Sequence, residues 1–217
     1  MQSYRGSLLA LYLLAIRIGL VQGHITASQA KALRDELRSS ADASDATVKL
    51  CNDKAQELAK AYKDARNYVF VSHGPNYASA LFSAAKVIEA AGMHAMGQDS
   101  EEWAHLQYFT IADRDVPTFV ITSAGYGYGR AAEMVEAMNK VGRRVVAVVP
   151  EGDKGIAPNA AAILPVAGHL SEAFTPLTYA IPGELFSAHL SDTTGNPPFR
   201  RPNEGANAVY AGSNYTR

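Results

Sequence analysis

The sequence is short of several things, and each shortage closes off a class of protein. A single cysteine, Cys51, rules out an internal disulfide and leaves the fold to its core. It also suits a reducing compartment, so the chain is expected to be cytoplasmic. Cys51 lies in a helical pattern with no motif around it and reads as packing, not as a reactive thiol. Twenty Lys and Arg against 21 Asp and Glu leave a formal net charge of −1. Without a basic field, neither nucleic acid nor an anionic membrane is expected as a partner. The N-terminal apolar run Leu8–Ile16 is shorter than the ~20 residues that span a bilayer. Arg17 interrupts it and no small-residue cleavage site follows, so it reads as a helix buried against the fold or against a partner.

Metal and cofactor signals are equally sparse. His94, Asp99, Glu101, Glu102 and His105 match no fixed ligand spacing such as HExxH, and no metal is expected. "TSAGYGYGR" (residues 122–130) follows a strand and opens a helix, but its glycines fall as GxGxG and not GxGxxG. The next strand, "VVAVVP", ends in Pro150 where an acidic residue would have to hold a ribose. A nicotinamide cofactor is therefore not expected, nor any other. The same turn could still hold an anion through Ser123, its backbone amides and Arg130. Equally, its glycines could simply permit a tight turn.

What the sequence does carry is an alternation of elements over 217 residues, enough for one domain with appendages. Residues 24–66 read as helical, opened by a Thr26 cap. "YVFVSHGP", "PTFVITSAG", "RRVVAVVP" and "AAILPVA" read as four strands. Helices are expected over 77–91, 130–141 and 175–190, with a loop-rich tail over 191–217. Apolar strands alternating with helices predict an α/β fold, a three-layer doubly wound parallel sheet, within residues 67–190. Residues 1–23 and 24–66 would form a helical extension on its N-terminal side. In such sheets ligands sit beyond the carboxyl ends of the strands. That points to Ser72, His73, Gly74 and Asn76 after the first strand, and to Thr122, Ser123, Gly125 and Arg130 after the second.

One stretch, "KVIEAAGMHAMGQDSEEWAH" (86–105), reads as a helix running into a loop and is dense in ionisable groups. Lys86 and Glu89 share a helix face. The helix is otherwise almost without charge, and it is expected to face the binding edge. His105 would arrive from a separate element after a connecting loop, while Asp99, Glu101 and Glu102 read as solvated or capping. Trp103 reads as a lid or interface residue, His169 and His189 as structural, and Arg143–Arg144 as a solvated turn.

The segment "YVFVSHGPNYASALFSAAKVIEAAGMHA" through "EEWAH" resembles the sugar isomerase (SIS) family. In particular it looks like the second SIS half of glucosamine-6-phosphate synthases and fructosamine-phosphate deglycases. Gly74, Tyr77, Ala80-Leu81, Lys86, Glu89, His94-Ala95 and His105 fall in the family's order without a gap. "SLLALYLLAIRIGLVQG" resembles the helix closing the first half, and "TPLTYAIPGELFSAHLSDTTGNPPFR" the final helix and tail. The resemblance implies a flavodoxin-like SIS fold that binds a sugar phosphate or amino-sugar phosphate. It implies Glu89 as the proton-transferring carboxylate, His105 as the ring-opening histidine and Lys86 as the lysine beside the base. An apolar setting would raise a carboxyl from its usual ~4.3 towards a range where it works as both acid and base. The alternative is a non-catalytic sugar-phosphate-binding regulatory module. The chain departs from the family where Leu106-Gln107 replaces Gly-Pro after the histidine, and no lysine follows Lys154 to form a Schiff base. The family's Ser/Thr-rich phosphate loop belongs to the first half, so a homodimer, or packing against another SIS half, is expected.

Overall fold

Residues Tyr68–Ser72 alternate aromatic and β-branched side chains, and all five are buried. A strand apolar on both faces is stable only in a sheet covered on both sides. The computed structural model of the chain describes residues 2–110 and 115–196 and has that architecture. Two helices come first, α1 (Gln2–Val21) and α2 (Ala27–Tyr62). Then follow β1 (Tyr68–Ser72), α3 (Tyr77–Lys86), β2 (Ala95–Asp99), α4 (Ser100–His105) and β3 (Pro117–Ile121). Next are α5 (Tyr128–Lys140), β4 (Arg144–Pro150), β5 (Ala162–Val166), α6 (Pro176–Tyr179) and α7 (Ile181–Thr194). All five strands are parallel, in the order β2-β1-β3-β4-β5. The tail beyond residue 196, including its resemblance to the family's, lies outside the described residues.

The two faces of the sheet carry separate cores. On one, Tyr68, Phe70, Phe119 and Phe186 pack with Cys51, Leu58 and Val87, beneath α2, α3 and α7. Its centre is aromatic: Phe70 and Phe119 stack at 4.6 Å, and Phe186 leans on Phe119 at 4.7 Å. On the other, Val69, Val71, Val120 and Val145 pack with Trp103, Val135 and Met138, beneath α4 and α5. Helix α2 begins as its sequence predicts. The Thr26 hydroxyl accepts from the Gln29 amide at 3.2 Å, and the Gln29 side chain takes the Thr26 amide at 2.8 Å. Cys51 is fully buried, and burial pushes its thiol up to about 12, which removes the thiolate needed for reactivity.

Several expectations need correction. A fifth strand, β2, runs through what reads as a loop. Its sequence AMGQD has no β-branched residue, and as an edge strand it is only half-buried along its length, so no apolar run marks it. Trp103 is no lid: it is 1% exposed and packs in the second core. Arg143 is no solvated residue either, since its guanidinium donates to the carbonyls of Gln107 (2.9 Å) and Thr110 (3.0 Å). Helix α1 is not stopped by Arg17, and the span Ser3–Val21 is long and apolar enough, by length and composition, to cross a membrane. Ile16, Leu8, Leu9, Tyr12 and Leu20 pack it onto the fold, while Leu11, Leu14 and Val21 lie exposed.

Glycine settles the seat of α3. A Cβ on Gly97 of β2 would fall 2.7 Å from the Leu81 backbone nitrogen, so the helix lies directly on the strand's main chain. Gly97→Ala is expected to cost about 1–3 kcal/mol by overpacking. It should lower the urea midpoint with the slope unchanged.

Candidate functional site

Two loci emerge, at opposite ends of α3. The first is the carboxyl edge. In the order 2-1-3-4-5 successive connections leave β1 and β3 in opposite directions, which opens a crevice between their carboxyl ends. A cleft of about 570 Å³ lies there, bordered by His73, Gly74, Asp99, Glu101, Arg130 and Glu172. Ser123 and Gly125 line a smaller neighbouring cavity of about 180 Å³ with Pro150, His169 and Tyr179. Glu172 borders both.

The other expected ligand residues at this edge are buried, with polar atoms already bonded. The Ser72 hydroxyl donates to the Ile121 carbonyl at 2.6 Å, and that of Thr122 to the Ser123 carbonyl at 3.1 Å. The Asn76 amide donates to the Thr175 hydroxyl at 2.9 Å, and its oxygen accepts from Ser79 at 3.2 Å. Asn76 is thus a strut between the β1 turn and the loop before α6. Arg130 forms a two-pronged pair with Glu101 (2.7 and 3.0 Å) and a third bond to Glu133 at 3.0 Å. The guanidinium holds the Glu101 carboxyl below its ordinary range.

The second locus is the far end of α3. There the helix widens into a π-helical turn over Val87–Ala91, closed by Gly92 in the left-handed region (φ 63°). Such turns recur at functional sites because the extra residue re-aims the side chains beside it. Lys86 and Glu89 are paired across it, with side chains 18% and 34% exposed. The Lys86 ammonium lies 5.1 Å from the centre of the Phe82 ring, and Tyr4 of α1 stacks on the same ring at 4.1 Å. Beside them on α7 is Glu184, 6% exposed, whose carboxylate accepts from Arg5 at 3.2 Å. Burial pushes the Glu184 carboxyl up, against the pull of Arg5 and Lys86. Glu89 lies twelve residues beyond Tyr77, about 18 Å along a helix rising 1.5 Å per residue. The expectation that Lys86 and Glu89 face the carboxyl edge is therefore corrected, because α3 starts at that edge and runs away from it.

His105 belongs to neither locus. It ends α4, on the second face of the sheet, and its Nδ1 donates to the Glu101 carbonyl at 2.7 Å, leaving Nε2 for a ligand. Asp99 caps that helix by accepting from the Glu101 amide at 2.9 Å. The chain thus joins Lys86 to Glu89 but places His105 across the sheet from both. Sequence reasoning missed Glu172 and Glu184. The first follows β5 at the carboxyl edge, where topology alone would place it. The second is the single acid in the apolar stretch "IPGELFSAHL", the same signal that drew notice to Glu89.

No family model matches the chain. Among curated proteins it is 31% identical over 144 residues to a glutamine–fructose-6-phosphate aminotransferase (isomerizing) of Chlorobaculum tepidum, covering 66% of this chain and 23% of that one. Its similarity to the corresponding Pyrococcus horikoshii protein is 29% over 199 residues, covering 92% of this chain and 32% of that one. The chain spans about a third or less of these relatives' length. Among solved structures, the C-terminal domain of the Francisella tularensis glucosamine-fructose-6-phosphate aminotransferase superposes with a TM-score of 0.75 at 19% identity, over 86% of this chain and 52% of that one. The Vibrio vulnificus NanR protein complexed with ManNAc-6P gives 0.62 at 15% identity, over 83% and 69%. These structural likenesses establish the fold.

The Arg5–Glu184 pair yields a stability test. The Glu184 carboxyl is raised in the folded state, so its charged form is the one that needs Arg5. Arg5→Ala is expected to cost about 1–3 kcal/mol at neutral pH, the penalty of an unpaired buried group. The deficit should shrink as pH falls through the raised Glu184 pKa and the carboxyl takes up a proton. Urea unfolding of both proteins across that pH range measures it.

Proposed function

We propose that this sugar isomerase (SIS) domain, homologous to glutamine–fructose-6-phosphate aminotransferases, supplies the proton-transfer half of a sugar-phosphate site. The reaction is an aldose–ketose isomerisation or a fructosamine-phosphate deglycation, and the substrate a sugar phosphate or amino-sugar phosphate. The observation that carries this reading is the Lys86–Glu89 pair, half-buried on a π-helical turn and closed by a left-handed glycine.

The chemistry suits the groups. Glu89 takes the proton from the carbon beside the carbonyl or imine. The electrons of that C–H bond become the C=C bond of an enediol or enolamine, and the heteroatom gains the charge. The same carboxyl then returns the proton to the neighbouring carbon, a role that needs one group able to act as base and acid. The hydroxyl or amine proton on the first carbon meanwhile passes to the charged heteroatom; in a deglycation, water then adds to the resulting imine carbon and the amine leaves. Lys86, beside it, stabilises the negative charge as it develops on oxygen. His105 moves protons between O1 and O5 as the ring opens. Because His105 stands on the other face of the sheet, it would serve a site formed with a second SIS unit, either another copy of the chain or another SIS half. That unit would also supply the phosphate loop.

A second reading is favoured by the cleft at the carboxyl edge. There the chain would be a regulatory module that binds sugar phosphate without turning it over, as the ligand in the NanR structure suggests for that protein. In that case His73, Gly74, Gly125 and Arg130 would hold the ligand and Glu89 would be dispensable.

Glu89→Gln keeps the shape of the side chain and removes the base. With the chain assembled with its second unit, exchange of the substrate's carbon-bound hydrogen at C1 and C2 with solvent deuterium should fall about 10²–10⁴-fold. Exchange at the wild-type rate would overturn the assignment.

A further inference from the structure

The turn after β3 has the form of an anion site, and the chain has filled it with one of its own carboxylates. The Tyr126 amide donates to Glu172 Oε2 at 3.3 Å. A Cβ on Gly125 would fall 2.4 Å from the Glu172 carboxyl carbon, so glycine there makes room for this side chain. From the opposite wall of the crevice Gly74 (φ 53°) faces the same carboxylate, with its would-be Cβ 3.9 Å from Oε1. Glu172 thus lies between the β1 and β3 turns at the switch point, bonded to the second. Next to it, the His73 ring fills the space where Gly127 lacks a side chain, 2.0 Å from its would-be Cβ.

The seat is braced from behind. The Thr175 hydroxyl donates to the Glu172 carbonyl at 2.7 Å and accepts from buried Asn76 at 2.9 Å. The guanidinium bordering the cleft, that of Arg130, is paired with both Glu101 and Glu133. An incoming phosphate would therefore meet an occupied amide, a neutralised arginine and a fixed negative charge. Like charges a few ångströms apart in a partly enclosed crevice repel strongly.

We infer that Glu172 is a specificity-determining residue, an internal carboxylate that holds the anion position at the carboxyl edge and makes this edge refuse phosphate. Gly125 and Gly127 of "TSAGYGYGR" then serve to admit Glu172 and His73, and recognition of a phosphorylated substrate falls to a surface other than this turn. The inference is independent of Glu89, since it concerns binding at the opposite end of α3, and it stands against the regulatory reading in which this edge holds the sugar phosphate.

The test uses the full chain, inorganic phosphate at low ionic strength as probe, and the backbone amide resonances of Tyr126 and Gly127 as readout. In the wild type these should stay still up to tens of millimolar phosphate. In Glu172→Ala they should move with an affinity at least tenfold tighter, and Glu172→Gln should fall between. Glu172→Ala binding no more tightly than wild type, whether both bind or neither does, overturns the inference. A second measurement guards against a misfolded variant. Gly125→Ala should lower the thermal midpoint in the wild-type chain and much less in the Glu172→Ala background. Equal losses in the two backgrounds would mean that Glu172 does not hold this seat.

Discussion

The close contact of α3 with the sheet is the constraint that fixes where Lys86 and Glu89 stand, and with them the proposed site. Gly97 brings the strand's backbone against Leu81, and on the other side of the helix Gly183 of α7 admits Ser83, whose hydroxyl lies 2.1 Å from where a Cβ would be. A helix wedged by small residues on two sides cannot slide or rotate without meeting backbone. The cores above and below the sheet then fix the rest. With α3 locked, its first residue stands at the carboxyl edge and its last turn, with Lys86 and Glu89, at the opposite end. The π-helical turn begins at Val87, four residues beyond Ser83.

Much of the fold was legible because its physics is local. Strands β1, β3 and β4 are apolar on both faces and could only be interior, and a capping box opens α2. Strand β2 was not legible, for the opposite reason. Its stability comes from pairing with β1 and from lying under α3, so a glycine that looks like a loop residue is what lets the helix descend onto it. Trp103 and Arg143 were misplaced for related reasons. An aromatic residue among charged neighbours on a six-residue helix carries too short a periodicity to show its buried side. An arginine at a strand entrance reveals nothing of the carbonyls, some thirty residues away, that take its protons.

The site was legible in its residue types and much less so in its geometry. Two ionisable groups on an almost uncharged helix drew the reading to Lys86 and Glu89, and the structure pairs the two. Which end of the sheet they occupy depends on the direction of α3 relative to the strands, and the rule that ligands gather at carboxyl edges pointed to the wrong end. At that edge, the hydroxyls and amide of Ser72, Asn76 and Thr122 look like ligands in sequence because polar residues in turns usually face solvent. Here they are below the surface, bonded to the Ile121 and Ser123 carbonyls and the Ser79 and Thr175 hydroxyls, as buried polar groups must be.

Under the proposed function, charge divides the roles of the two ends. A phosphorylated sugar brings a dianion that must be held by unspent donors, while isomerisation needs a carboxylate poised beside carbon. Placing both in one small crevice would set the base against the phosphate. At the carboxyl edge, Glu172, Glu101 and Glu133 have already consumed the turn amide and the arginine. At the far end of α3 the carboxylates are instead matched by Lys86 and Arg5, so negative charge there is balanced and Glu89 can face a neutral carbon. The sheet nevertheless separates His105 from Glu89, and proton transfers to a single sugar require both within hydrogen-bond reach of it. One copy of this domain cannot meet that condition. The proposed chemistry therefore demands a second unit that brings a histidine and a phosphate cradle to the Lys86–Glu89 turn, and the exposed Leu11, Leu14 and Val21 of α1 offer such a unit something to pack against.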